Sequence, residues 1–176
     1  MVALIEGSKA PDFQLKTSRD KVQSLGQALA RFPLVLITIF KVHCPVCQLT
    51  LPYIQRLHAG LKAAGAPDLP EEASPLPEES PLLVVCQDSQ DETREFIEQY
   101  GLTMPVLVDD NLDVTLAYGL TNVPSLFLVR ADYTIESTIV GFDKSALISA
   151  AGRLAGDDFA LFTSEENTTL PAFRPG

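Results

Sequence analysis

From Leu34 to Phe40 the chain is apolar at every position but Thr38. A run of that length without alternation fits a central strand buried on both faces of a sheet. The period then changes, with Cys47, Leu51, Ile54, Leu57 and Leu61 recurring at helical spacing. This predicts a helix with one stripe toward the core, kinked at Pro52 and stopped at Gly65. Pro81 to Cys86 reads as a second buried strand, and Ser89 with Glu92 as a capping box. The helix it opens carries Phe96, Ile97 and Tyr100 and ends at Gly101. Met104 to Val108 is a further short strand, and Asp110 caps a short helix with Leu112, Val114 and Ala117 that ends at Gly119. Ser125 to Val129 and Thr134 to Val140 pair as a hairpin through Ala131-Asp132. Asp143 caps a last helix with Leu147, Ala150, Ala151 and Leu154 on one face, closed by Gly156. Upstream, Phe13 and Leu15 alternate with polar neighbours, Ser18-Arg19-Asp20 marks a turn, and Val22 and Leu25 complete a small N-terminal hairpin. Strands alternating with helices, then a hairpin and a helix, predict an α/β fold whose central mixed sheet is flanked by helices on both faces.

At 176 residues the chain fits one domain, residues 1–156, followed by a tail at 157–176. The tail has no periodicity, and two placements stand open for it: packed on the domain, or across the active site. A net charge of −10 argues against nucleic-acid or anionic-membrane binding through a basic face. Part of that acidity is local. Asp68, Glu71, Glu72, Glu78 and Glu79 fall in a Pro-rich stretch, residues 66–81, without a Lys or Arg, which reads as a surface loop. Three cysteines are too few for a secreted disulfide scaffold. Residues 1–7 lack a basic segment followed by a long apolar one, and no later stretch is long enough to span a bilayer. The chain as given therefore reads as cytoplasmic, with a removed signal or anchor left open.

Cys44-Pro45-Val46-Cys47 lies at the junction between the apolar run and the amphipathic helix. With Cys44 as N-cap, Pro45 takes the first helical position, where its fixed φ suits the helix and its missing N–H costs nothing. The free amides of Val46 and Cys47, with the helix dipole, would favour thiolate and lower the Cys44 pKa. Cys44 is the expected nucleophile. Cys47, three residues on and within disulfide reach, would resolve a mixed disulfide. Two cysteines at this spacing also make half a zinc site, but the other candidates, Cys86, His43 and His58, show no ligand spacing, so no metal is expected. Haem attachment would need His where Gln48 stands.

These elements in this order resemble the thioredoxin-like redoxins, in particular thiol-disulfide oxidoreductases of the TlpA type and their peroxiredoxin (AhpC/TSA-like) relatives. The segment Gly7-Ser8-Lys9-Ala10-Pro11-Asp12-Phe13-Gln14-Leu15 is similar to the family's opening G-x-x-A-P-D-F-x-L. Cys44 and Cys47 fall on its active-site pair, Pro52 on its kink proline, and Gly141 on the glycine before its last helix. Tyr118 to Leu126 resembles the segment that carries its cis-proline, and the strand and helix between Leu82 and Gly101 resemble the insertion that separates redoxins from plain thioredoxin. The resemblance implies a thioredoxin-like fold, a redox-active Cys44–Cys47 disulfide, and a cis Val123-Pro124 bond that presents the Val123 backbone to an extended substrate. His43 stands where the family usually has Trp, and two readings stay open: an imidazole beside the attacking thiolate, or a solvated ring. Thr38 stands where thioredoxin keeps a buried acid. His58 reads as a surface residue, Cys86 as a buried small hydrophobe, and Gln87 to Asp91 as helix capping.

The leading expectation is disulfide exchange with a protein or small-thiol substrate, no cofactor, and an upstream dithiol that recycles the protein. A thiol peroxidase is the alternative. There the attacking Cys is helped by Thr three residues earlier and Pro seven earlier, positions that hold Lys41 and Ile37 here. A third reading is a binding module that uses the acidic loop or the tail, with the CxxC as a structural disulfide.

Overall fold

The computed structural model describes residues 3–64 and 80–176. The acidic stretch, apart from Ser80 and Pro81, and the helix stop at Gly65 lie outside the described residues. The strands are β1 (Gln14–Thr17), β2 (Val22–Ser24), β3 (Leu34–Phe40), β4 (Leu82–Cys86), β5 (Val106–Val108), β6 (Ser125–Arg130), β7 (Ile135–Val140), β8 (Phe142–Asp143) and β9 (Phe173–Arg174). The helices are α1 (Leu25–Arg31), α2 (Pro45–Ala63), α3 (Gln90–Tyr100), α4 (Asp113–Ala117), α5 (Lys144–Ala155) and α6 (Ser164–Thr169). Seven strands form one sheet in the order β2-β1-β5-β4-β3-β6-β7, and β8 pairs with β9 in a small separate ribbon.

The sheet is mixed. β3, β4 and β5 are parallel neighbours, while β6 and β1 run antiparallel to β3 and β5. Why β3 reads as a continuous apolar run follows from its two faces. Leu34, Leu36 and Phe40 point into a core shared with Leu51, Ile54 and Leu57 of α2 and Leu147, Ala150 and Ala151 of α5. Val35, Ile37 and Ile39 point the other way, against Leu25 and Leu29 of α1, Val114 of α4 and Tyr118. Each fully buried aliphatic side chain of this kind contributes about 2 kcal/mol. The two-sided sheet is the main source of stability.

Local chemistry sets the element ends. The Ser89–Glu92 capping box is formed in both directions, and Gly101 closes α3 in the left-handed conformation with φ of 61°. Asp143 caps α5 through the Ala146 amide, at 3.0 Å. Helix α2 continues through Pro52 to Ala63. Proline has no amide hydrogen, so the Gln48 carbonyl lacks its intrahelical donor there.

Three expectations need correction. Leu25 belongs to a helix rather than to the N-terminal hairpin: Ser24 accepts the Gln27 amide at 3.1 Å and Asp12 accepts the Gly26 amide at 2.9 Å, so the chain turns helical directly after β2. The short α4 is not capped by Asp110. Leu112 occupies the N-cap with φ of 62°, and the buried Asp109 carboxylate accepts the Val114 and Thr115 amides at 3.1 and 2.9 Å and the Thr115 hydroxyl at 2.8 Å. His58 is only 4% exposed. It lies four residues after Ile54 on the inward stripe of α2, its Nδ1 is 3.4 Å from the Ser80 hydroxyl, and burial lowers its pKa.

The tail packs on the domain and reaches Val123. Phe162 packs against Tyr53 of α2, with ring centroids 4.5 Å apart and the planes tilted, and lies near Phe142. Arg56 donates to both Glu166 oxygens, at 2.6 and 3.0 Å, and to the Leu161 carbonyl at 2.8 Å. β9 then pairs antiparallel with β8, setting Phe142 opposite Arg174.

Candidate active site

The dithiol sits where β3 ends. After Phe40 the chain makes a short turn and α2 begins at Pro45 with Cys44 as its N-cap, φ −86° and ψ 115°. The Cys44 sulfur accepts the Cys47 amide at 3.2 Å. An amide from the first helical turn pointed at sulfur is a contact that strengthens when the sulfur is negative. The turn is held from two directions. Asp88, just past β4, accepts the Val42 amide at 2.8 Å, and Gln48 of α2 donates to the Val42 carbonyl at 2.8 Å. Asp88 was legible in the sequence only as part of a helix cap. Its grip on the turn depends on the parallel β3–β4 register, with Phe40 opposite Cys86.

The wall opposite comes from β6. The Val123-Pro124 bond is cis, and the Cys44 thiol donates to the Val123 carbonyl at 3.4 Å. Because β3 and β6 are antiparallel, with Ile39 opposite Ser125, the C-terminal end of one strand meets the N-terminal approach to the other. That places the carbonyl beside the sulfur. Ser125 steadies the segment by donating to the Asn122 carbonyl at 2.8 Å, and the Gly141 amide donates to the Pro124 carbonyl at 2.7 Å.

The two sulfurs differ in setting. Cys44 is partly exposed and Cys47 fully buried. Burial first, and then the hydrogen bond shared with Cys44, push the Cys47 thiol well above the ordinary range. Cys86 is also fully buried, its thiol 3.6 Å from an Asp88 oxygen, and burial pushes its pKa up to about 12. His43 is exposed on the turn before Cys44. Thr38 lies fully buried on the same face of β3 as Leu36 and Phe40, and its hydroxyl has no hydrogen-bond partner among the described residues. No group of three or more His, Cys, Asp or Glu that could hold a metal occurs among the described residues, and no helix there is long and apolar enough to cross a membrane.

This asymmetry gives a simple expected result. Iodoacetamide applied to the reduced, native protein near neutral pH should place a single label on Cys44, and Cys47 and Cys86 should react only after unfolding. Intact-mass analysis before and after denaturant checks this. Prompt labelling of two thiols in the native protein would contradict the burial of Cys47.

Sequence and structure comparisons extend the geometry. The chain is 29% identical over 137 residues to the thiol-disulfide oxidoreductase ResA of Oceanobacillus iheyensis, a match covering 77% of this chain and 65% of that protein. It is 26% identical over 140 residues to the thioredoxin-like protein YneN of Bacillus subtilis, covering 80% and 74% of the two chains. Its fold matches the thioredoxin domain of a thiol-disulfide oxidoreductase from Bacteroides vulgatus with a TM-score of 0.67 at 17% identity, over 87% of this chain and 99% of that one. The thioredoxin-like fold is thereby established, with the N-terminal hairpin and the β4–α3 unit built into it. The family model for Redoxin matches residues 5–152, from the N-terminal segment through nearly all of α5, and the chain belongs to the redoxin family.

Proposed function

We propose that the protein is a thiol-disulfide oxidoreductase that exchanges disulfides through Cys44 and Cys47. The observation that carries this is the pairing of an accessible sulfur at a helix N-cap, receiving the Cys47 amide at 3.2 Å, with a buried second thiol one turn on. The Cys44 thiolate attacks one sulfur of a substrate disulfide. A Cys44–substrate disulfide forms, the substrate S–S bond breaks, and the other substrate sulfur leaves as a thiolate that takes up a proton. Cys47 then loses its proton and attacks the Cys44 sulfur, releasing the second substrate thiol and leaving a Cys44–Cys47 disulfide. Two electrons have passed to the substrate.

The order of events follows from the burial of Cys47. Its raised pKa keeps it a thiol while Cys44 attacks. Two of the causes, the hydrogen bond and the charge interaction with Cys44, disappear once the Cys44 sulfur is tied in a mixed disulfide, so the resolving thiol deprotonates more easily at the stage where it is needed. Val123 and Pro124 form the wall against which an extended substrate lies, and His43 borders its approach. An upstream dithiol returns the pair to the reduced state, and the same steps in reverse would oxidise a substrate. Substrates are protein disulfides or small thiols.

The reduction potential of the pair tests the proposal. The protein is equilibrated in thiol redox buffers and alkylated thiols are counted by mass, which suits a chain without Trp. A value near about −270 mV makes it a reductant and one near about −120 mV an oxidant, while the absence of a reversible two-electron couple would overturn the reading.

A further inference from the structure

The tail does more than pack on α2. From Arg174, the second residue of β9, the segment Arg174-Pro175-Gly176 crosses Gly141 and lies against Val123, the residue whose carbonyl faces the Cys44 sulfur. The approach is close on both sides. A Cβ at Gly176 would fall 2.6 Å from the Val123 carbonyl oxygen and 3.0 Å from its carbon, and a Cβ at Gly141 would run into the Arg174 carbonyl oxygen and lie 2.8 Å from the Gly176 nitrogen. Asn122, on the same loop as Val123, donates its side-chain amide to the Gly176 carbonyl at 2.9 Å. Upstream the segment is moored: the Lys144 amide donates to the Ala172 carbonyl at 2.9 Å, and the Lys144 ammonium to the Asn167 carbonyl at 2.7 Å.

We propose that residues 174–176 are a specificity-determining strap, lying where an extended polypeptide would have to run to reach the Val123 backbone, so that small disulfides enter freely and polypeptide disulfides must first displace it. This rests on the disulfide-exchange reading above. The Val123 carbonyl is approached by both the Cys44 sulfur and Gly176, which leaves a peptide strand no room along it while the strap is down. A small disulfide needs only the sulfur, which remains partly exposed. The strap is also built to lift. Gly176 is tied by an Asn122 hydrogen bond, whereas Phe173 and Arg174 are held by the β8–β9 pairing and the residues before them by Lys144, so Pro175 and Gly176 are the part that lifts. The apparent affinity for a polypeptide is then reduced by the fraction of time the strap is open.

The test uses the full chain, a chain lacking Pro175 and Gly176, and Gly176→Ala. Rates are measured with a disulfide-linked pair of decapeptides and with cystamine. If the strap is closed most of the time, both variants should raise kcat/KM for the peptide disulfide on the order of ten-fold while cystamine changes by less than about two-fold. A peptide-to-cystamine ratio that stays level or falls would overturn the strap. Labelling of Cys44 supplies a readout independent of exchange. In the shortened chain a maleimide carried on a decapeptide should gain rate relative to iodoacetamide, and an unchanged ratio would overturn the strap by itself. Failure of every protein to turn over either disulfide, with the maleimide ratio still rising, would defeat the exchange reading and leave the strap standing.

Discussion

Cys44→Ser is expected to abolish disulfide exchange, lowering the rate by at least about a thousand-fold. A serine hydroxyl stays protonated at neutral pH and cannot form the mixed disulfide, so the loss falls on the first bond-forming step and no other residue can take it over. Cys47 cannot, because it is fully buried and its pKa is raised by that burial. Cys86 cannot, for the same reason and because its thiol is turned toward Asp88. Cys47→Ser should behave differently. The first attack survives, resolution fails, and a covalent Cys44–substrate adduct accumulates, seen by non-reducing mass analysis and dissolved by added thiol. Cys86→Ala should exchange at nearly the parent rate. Full activity in Cys44→Ser would remove the proposed nucleophile, and an adduct on Cys86 in any variant would reverse the roles assigned to the thiols.

A large loss of stability is expected from substitution of the buried Asp109. Asp109 is 1% exposed, and its carboxylate serves three donors, the Val114 and Thr115 amides and the Thr115 hydroxyl. Asp109→Ala leaves all three without their acceptor at the start of α4, in a site that water does not reach. Hydrogen bonds to a charged acceptor contribute about 1.5–3 kcal/mol each, and because three on one group are not additive the expected loss is about 3–5 kcal/mol. That is a large fraction of the roughly 5–15 kcal/mol by which a domain is stable. Lys9→Ala, which breaks the Lys9–Asp132 pair, should shift stability little by comparison, because both side chains are 65% exposed. Urea midpoints of the two variants measure the contrast. A loss below about 1 kcal/mol at Asp109 would mean that α4 finds another cap.

What was readable in the sequence was whatever depends on periodicity or on local caps. β3 and β4 announced themselves because burial on both faces forces an unbroken apolar run, and the Ser89–Glu92 and Asp143 caps because their partners lie three residues away. The N-cap position of Cys44 followed from Pro45 in the same way. Helix α1 was missed because its seven residues follow β2 without a connecting segment, although Ser24 before Leu25, Ala28 and Leu29 carried a weak helical signal. The ordered tail had one local sign, Thr163 with Glu166, a capping box that the apolar pattern did not support. Its two-residue strand and the contact of Gly176 with Val123 are tertiary and leave no local trace. Asp88 belongs to the same class, an acidic residue in a loop whose meeting with the Val42 amide is decided by the sheet register. Asp109 differs: its partners lie only five and six residues on, but they are not at the three-residue spacing of an ordinary N-cap.

The strand order has a consequence for synthesis. The sulfur and the carbonyl that faces it are 79 residues apart, and β6 enters the sheet only by pairing with β3 on one side and β7 on the other. A chain leaving the ribosome thus presents both thiols well before the strand that walls them has been made. During that interval the cysteines have reactivity but no selectivity, and they can be captured by any oxidant or passing disulfide. The antiparallel partner strand, rather than the dithiol itself, marks the point at which a reactive pair of cysteines becomes a site.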